Sequence, residues 1–122
     1  MTNEDYNGWV NRETWCFNLY LRNDEGLYDM ARDAAQVGMD KAIVWSENHW
    51  EDYALSKIVP GQASSLYVGE AIMAMMQELY QDAIEDGNRE ILRMFMDIGS
   101  LWRVDLREVG SAWIEDLEEV GA

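Results

Sequence analysis

Apolar residues recur at intervals of three and four along almost the whole chain, and no stretch sustains the alternation of a β-strand. That period places them on one face of a helix, so the pattern predicts an all-α fold. Pro60 is the only proline and Gly61 follows it, which makes this pair the clearest break. Before it, Asn11 can cap a helix from Arg12 to about Arg22, with Trp15, Leu19 and Arg22 following one another down a face. Asn23 to Gly26 reads as a tight connection. Leu27, Met30, Ala31 and Ala34 mark a second helix, which Gly38 is expected to end or kink. A third is expected from about Met39 to Ser56, with Ile43, Trp45, Trp50 and Tyr53 as its apolar contributors.

After the break, Ser64 or Ser65 can cap a long helix reaching about Ile84. Ile72, Met76, Leu79 and Ala83 line its inner face, and Met73 and Tyr80 widen it. Glu85-Asp86-Gly87-Asn88 signals a turn. Ile91, Leu92, Phe95 and Ile98 then keep helical spacing up to Gly99. Leu101, Trp102 and Val104 lead into a last helix marked by Leu106, Val109, Trp113, Ile114 and Leu117. The expectation is a compact single domain of five or six helices over residues 1–122, with a short β element admitted near residues 58–68. Apolar residues make up 48% of the chain, including 6 Trp and 8 Met, enough for a core and too many for an acidic disordered tail.

Other classes fall away on composition. The opening Met-Thr-Asn-Glu-Asp has neither a basic start nor an apolar run, so no secretory signal is expected. Apolar runs of a few residues fall far short of the ~20 that span a bilayer. The single cysteine, Cys16, lies beside Trp15 and Phe17 and reads as a reduced, buried thiol of a cytoplasmic protein.

No enzyme chemistry is legible. The one histidine, His49, has no nucleophile motif to serve. One His and one Cys cannot close a zinc site, and the calcium-loop pattern is missing around Asp24, Glu25, Asp29 and Asp33. The glycines are scattered singly, so no phosphate loop forms and no cofactor is expected. Met73, Met75, Met76, Met94 and Met96 read as core filler or an adaptable surface.

Charge is the remaining signal. The chain carries 24 Asp plus Glu against 9 Lys plus Arg, a formal net charge of −15. That argues against direct contact with nucleic acid or an anionic membrane. Residues 1–61 hold 11 acids and 5 bases and residues 62–122 hold 13 and 4, so the acidity runs through both halves. No base occurs between Lys57 and Arg89, while Glu70, Glu78, Asp82, Glu85 and Asp86 all do. Glu115, Asp116, Glu118 and Glu119 close the last helix. Glu78, Asp82 and Glu85 or Asp86 recur at helical intervals, as do Glu115 and Glu119, which predicts carboxylate stripes. Like charges four apart cost a helix about 0.2–0.5 kcal/mol per pair.

Four helical residues rise about 6 Å, comparable with the phosphate spacing along a nucleic-acid strand. A charge of −15 matches that of roughly 25 Å of duplex. The expected partner is therefore a nucleic-acid-binding protein or nuclease complex with a basic channel, met by these nine carboxylates, with Tyr80 or Trp113 as anchors. The alternatives are an acidic adaptor or homodimer built on a Met- and Trp-rich surface, with acidity serving solubility or salt adaptation, and, more weakly, a carboxylate metal hydrolase using Asp24, Glu25, Asp29 or Asp33.

Two segments also carry a resemblance. Tyr6-Asn7-Gly8-Trp9-Val10-Asn11-Arg12-Glu13-Thr14-Trp15, followed by Leu19-Tyr20-Leu21-Arg22-Asn23-Asp24-Glu25-Gly26-Leu27-Tyr28, resembles the opening of small, mostly uncharacterised proteins of phages, plasmids and other mobile elements. Val104-Asp105-Leu106-Arg107-Glu108-Val109 to Trp113-Ile114-Glu115-Asp116 is similar to their closing segment, although an aromatic commonly stands where this chain has Leu106. The resemblance covers roughly 35 residues near the two ends and leaves Pro60 to Arg89 unmatched. It implies a mobile-element setting and, by analogy, inhibition of a restriction enzyme, a CRISPR effector or another defence protein. It supplies no catalytic residues. Physically the opening block reads as structural: Trp9 and Trp15 clamp the first helix, Asn11 caps it, and Glu13 sits where the helix dipole favours an acid.

Overall fold

The computed structural model describes residues 7–48 and 60–121, with the side chains of 46–48, 60–63 and 119–121 left aside. Among the described residues the chain forms five α-helices and one 3-10 turn: α1 (Arg12–Asn23), α2 (Glu25–Asn48), α3 (Pro60–Asp86), α4 (Arg89–Ile98), the turn Leu101–Arg103, and α5 (Leu106–Gly121). The fold is all-α, as the spacing requires.

Local chemistry explains most of the boundaries. The Asn11 side chain accepts the backbone N–H of Thr14 at 2.8 Å and so caps α1. Asp24 alone separates α1 from α2, and its carboxylate accepts the Leu27 N–H at 2.9 Å. Asn88 caps α4 by accepting from Ile91. Gly87 and Gly99, with φ of 68° and 90°, supply the left-handed turns that end α3 and α4.

Three expectations need correction. Gly38 neither ends nor kinks a helix, because α2 passes through it unbroken. A Cβ at Gly38 would stand 2.6 Å from the Cα of Val68, so its missing side chain serves the approach of α2 to α3. The separate helix expected from Met39 is the second half of α2, and its later part, with His49, Trp50 and Tyr53, lies outside the described residues. Neither Ser64 nor Ser65 caps α3, which starts at Pro60. Proline suits a first helical turn because the N–H it lacks would have no partner there. Tyr67 and Val68 are helical, so the β element is absent there, and Ile58 and Val59 lie outside the described residues.

Helix α3 is the axis of the fold and packs most extensively against both α2 and α5. A Cβ on Gly69 would meet the Leu106 carbonyl oxygen at 1.9 Å, and one on Gly110 would meet that of Ser65 at 1.7 Å. Helices α3 and α5 therefore touch backbone to backbone and run in opposite directions. Ser65 and Ser111 share a hydrogen bond of 2.9 Å at this crossing. Around it Phe17, Leu21, Ile72, Met76, Ile98, Val109 and Trp113 are fully buried. Each large apolar side chain buried in this way contributes about 1.5–3 kcal/mol. On α1 the buried face is Thr14, Phe17, Asn18 and Leu21, while Leu19 and Arg22 of the expected face are exposed. Met30 and Ile43 on α2 are likewise more exposed than their spacing suggests.

Two polar clusters lock the helices together. Asp116 of α5 is buried, accepts the Tyr28 hydroxyl at 2.7 and 2.9 Å, and lies 3.4 Å from Arg22 and 3.5 Å from Arg32. The Arg22 guanidinium in turn sits 4.6 Å above the Trp113 ring, whose N–H donates to Asn18 at 2.7 Å. In the second cluster, Asp97 of α4 accepts from Tyr20 at 2.6 Å and from Arg12 at 3.2 Å. Arg12 also donates to the Asp97 and Ile98 carbonyls.

Candidate acidic surface

The carboxylates divide by what they touch. Asp24, Asp97, Asp105, Glu13, Glu108 and Asp116 all bond within the fold, as caps or partners of arginine, tyrosine or backbone. Glu70, Glu78, Asp82, Glu85, Asp86, Glu115 and Glu118 are exposed and, among the described residues, pair with no Lys or Arg. Asp116 must therefore be removed from the expected partner-binding set. Its place beside Tyr28 and two arginines is structural, and grouping it with its sequence neighbours Glu115, Glu118 and Glu119 counted a core residue as a surface one. Glu119 lies in α5, but its side chain is outside the described residues.

The remaining carboxylates do not form one continuous face. Gly110 lies against Ser65, so α5 runs from there toward the start of α3 and carries Glu115 and Glu118 to that end. Glu78 is thirteen residues beyond Ser65, roughly 20 Å along the axis. Glu78, Asp82 and Glu85 follow at intervals of four and three on one flank of the C-terminal part of α3, with Asp86 beside them. Glu70 stands apart, two turns earlier. The last turn of α3 contains no base. Acids there face the negative end of the helix dipole and cost about 0.3–1 kcal/mol each at low salt. This flank thus accepts unfavourable electrostatics that no ion pair among the described residues relieves.

Of the two expected anchors, Trp113 is wholly buried and cannot meet a partner. Tyr80 is 40% exposed and stands edge-on to Phe95, with centroids 5.0 Å apart. It lies two residues on from Glu78, which on a 3.6-residue turn is roughly the far side of α3. There Tyr80, Ile84, Leu92, Phe95, Met96, Gly99, Leu101 and Trp102 enclose an apolar groove of about 600 Å³. Trp102 and Met96 are 84% and 81% exposed, so Met96 is not the core filler its neighbours Met73, Met76 and Met94 are. Sequence reasoning missed this groove. The available signal was the run Leu101-Trp102-Arg103-Val104, where a 3-10 turn buries Val104 and turns Trp102 outward.

A second hollow of about 430 Å³ is lined by Arg12, Trp15, Cys16, Leu19, Tyr20, Asn23 and Asp97. Cys16 is buried at its base. Burial, reinforced by the Asp97 carboxylate, pushes its thiol above the ordinary value and away from the reactive thiolate. Among the described residues no group of three or more His, Cys, Asp or Glu side chains could hold a metal ion, and no helix is long and apolar enough to cross a membrane.

The opening block is structural in its contacts. The Thr14 hydroxyl accepts the Asp105 N–H at 2.9 Å, Asn11 donates to the Arg103 carbonyl at 2.8 Å, and Glu108 accepts the Val10 N–H at 2.9 Å. The two segments that carry the resemblance are therefore bonded to each other. Residues 2–85 match a protein family described as a family of unknown function (DUF7249). No curated protein and no solved structure matches the chain.

Proposed function

The chain belongs to DUF7249, a family of unknown function, and we propose that it is an acidic decoy, encoded by a phage or other mobile element, that occupies the nucleic-acid surface of a host defence protein. One observation carries this reading: Glu78, Asp82, Glu85 and Asp86 lie together on the flank of α3 with no basic partner among the described residues. A basic channel supplies the missing counter-charge, and the chain competes there with DNA. Glu70, Glu115 and Glu118 add to the field that draws the partner in without sharing the same face. The decoy performs no chemistry; binding alone displaces the nucleic acid.

The test is capture from a host lysate on the immobilised protein, at low and high salt, with the retained proteins identified. The expected catch is a nucleic-acid-binding protein that high salt or added duplex DNA releases, because exposed charge pairs are screened beyond about 10 Å at 0.1 M salt. Reversing Glu78, Asp82 and Glu85 to lysine should abolish both capture and inhibition while helicity is unchanged. Capture that survives this triple change would overturn the reading.

A further inference from the structure

We propose that the groove between α3, α4 and the 3-10 turn is the surface on which two copies of this chain pair. Its first support is area. Trp102, Met96, Ile84 and Tyr80 are 84%, 81%, 48% and 40% exposed and border one hollow. With a large aromatic offering ~150–250 Å², these four leave on the order of 500 Å² of mostly apolar surface in water. That is near the upper end for the largest patch of a monomer, ~300–600 Å². It is also more than half of the ~800 Å² per partner that a stable interface buries.

Charge then selects the occupant. The eight lining residues include no Asp, Glu, Lys or Arg in a chain that carries 24 acids. Two copies with a net charge of −15 repel over most of their surfaces, and this patch is where they approach at least electrostatic cost. Its border on α4 carries cations. Arg89 and Arg93 are exposed beside Leu92 and Met96 on α4 and, among the described residues, pair with no carboxylate. A two-fold pairing lets arginines of one copy meet acids of the other, which is the self-complementarity an isologous contact requires.

Shape supplies the third support. Trp102 projects from a turn held on both sides. The Arg103 carbonyl accepts from Asn11, the Arg103 guanidinium lies 3.4 Å from Glu13, and the Val104 N–H donates to Leu101. The backbone that carries the indole is thus held in place, so little main-chain freedom is lost when it docks. In a two-fold pair each Trp102 enters the groove of the other copy, and the paired molecule carries the acidic flank of α3 twice.

Sedimentation velocity over a concentration series, at ~0.05 and ~0.5 M salt, tests the proposal, since the higher salt shortens the range of repulsion. The expected result is a monomer–dimer equilibrium that tightens with salt, opposite to the response of the acidic flank to a basic partner. Trp102→Glu and Met96→Glu each weaken the dimer at least about tenfold, by roughly 1.4 kcal/mol or more, with unchanged circular dichroism because both side chains are already in water. Reversing Glu78 and Asp82 alone, on the side of α3 away from the groove, leaves the dimer intact, and Trp102→Glu still captures a basic partner, so the two proposals fail separately. A monomer at every concentration in high salt, or a dimer that persists in both glutamate variants, overturns the inference.

Discussion

The two halves of α3 belong to one helix and obey different rules. From Ser65 to Met76 the helix is gripped by Gly38, Leu106 and Gly110 so closely that backbone meets backbone. From Gln77 to Asp86 only Ala83 is fully buried, one flank carries carboxylates with no basic partner among the described residues, and the other opens on the apolar groove. The first half is specified by side chains missing at the crossing points, its own Gly69 and its neighbours' Gly38 and Gly110. The second is specified by what it displays. A helix of this length lets the packed half hold the displayed half in place, so the surface needs no stabilising contacts of its own.

Substitutions can break that contrast, and the largest effect should come at the crossing. Gly110→Ala puts a methyl group 1.7 Å from the Ser65 oxygen, and overpacking of this kind costs about 3 kcal/mol or more. Gln81→Ala in the exposed half should stay within about 0.5 kcal/mol. Urea unfolding of the two variants measures the difference, and equal midpoints would remove the distinction between the halves.

The two kinds of carboxylate give the next contrast. Asp116→Ala strands the Tyr28 hydroxyl and two arginines. Breaking a buried pair costs 3–5 kcal/mol, and partly exposed arginines reduce that here to about 2 kcal/mol. Glu118→Ala, two residues on, should change stability by less than about 0.5 kcal/mol. Calorimetry on both separates the core acid from the surface one.

Alkaline pH probes the same clusters without mutation. Tyr28 and Tyr20 donate to Asp116 and Asp97, and those hydrogen bonds hold both phenols above the ordinary value of 10.0. A pKa raised by folding contributes stability that is complete below the unfolded value and fades as pH climbs through the folded one. Stability should therefore fall above pH 10, and more gently in a Tyr20→Phe, Tyr28→Phe double variant. A decline of equal slope in both proteins would show that the phenols do not sense folding.

The smallest effect belongs to the stripe. Neutralising Glu78, Asp82 and Glu85 to glutamine should raise stability by about 0.2–0.5 kcal/mol for each like-charged pair removed. The gain should vanish at high salt, which thermal unfolding at two ionic strengths would reveal.

The extent to which this was legible follows from physics. Periodicity exposed the helices because each has a buried face, and capping chemistry marked Asn11 and Gly99 correctly. Gly38 was misread because a glycine that breaks a helix and one that admits a neighbour look alike in sequence; only the position of Val68 separates them. Asp116 was misplaced for a related reason. Its local spacing is that of a surface acid, while its partners Arg22, Tyr28 and Arg32 lie more than eighty residues away in the chain. Trp102 stands with Leu101 and Val104 in the apolar pattern, and its exposure is hidden there because an exposed and a buried tryptophan have the same letter, and a three-residue 3-10 turn decides between them. The exposed stripe of Glu78, Asp82 and Glu85 was readable because one helix suffices to define it.

The bonds from Val10, Asn11 and Thr14 to residues near 105 bear on how the chain is made. Asn11 reaches Arg103 across 92 positions. On a ribosome adding about 5–20 residues per second, the opening block waits roughly 5–20 s before its partners exist. Through that interval Phe17 and Leu21 have no Trp113 to close the core around them. Residues 1–61 carry 11 acids against 5 bases, so neighbouring nascent chains repel one another while the last helix is still to come.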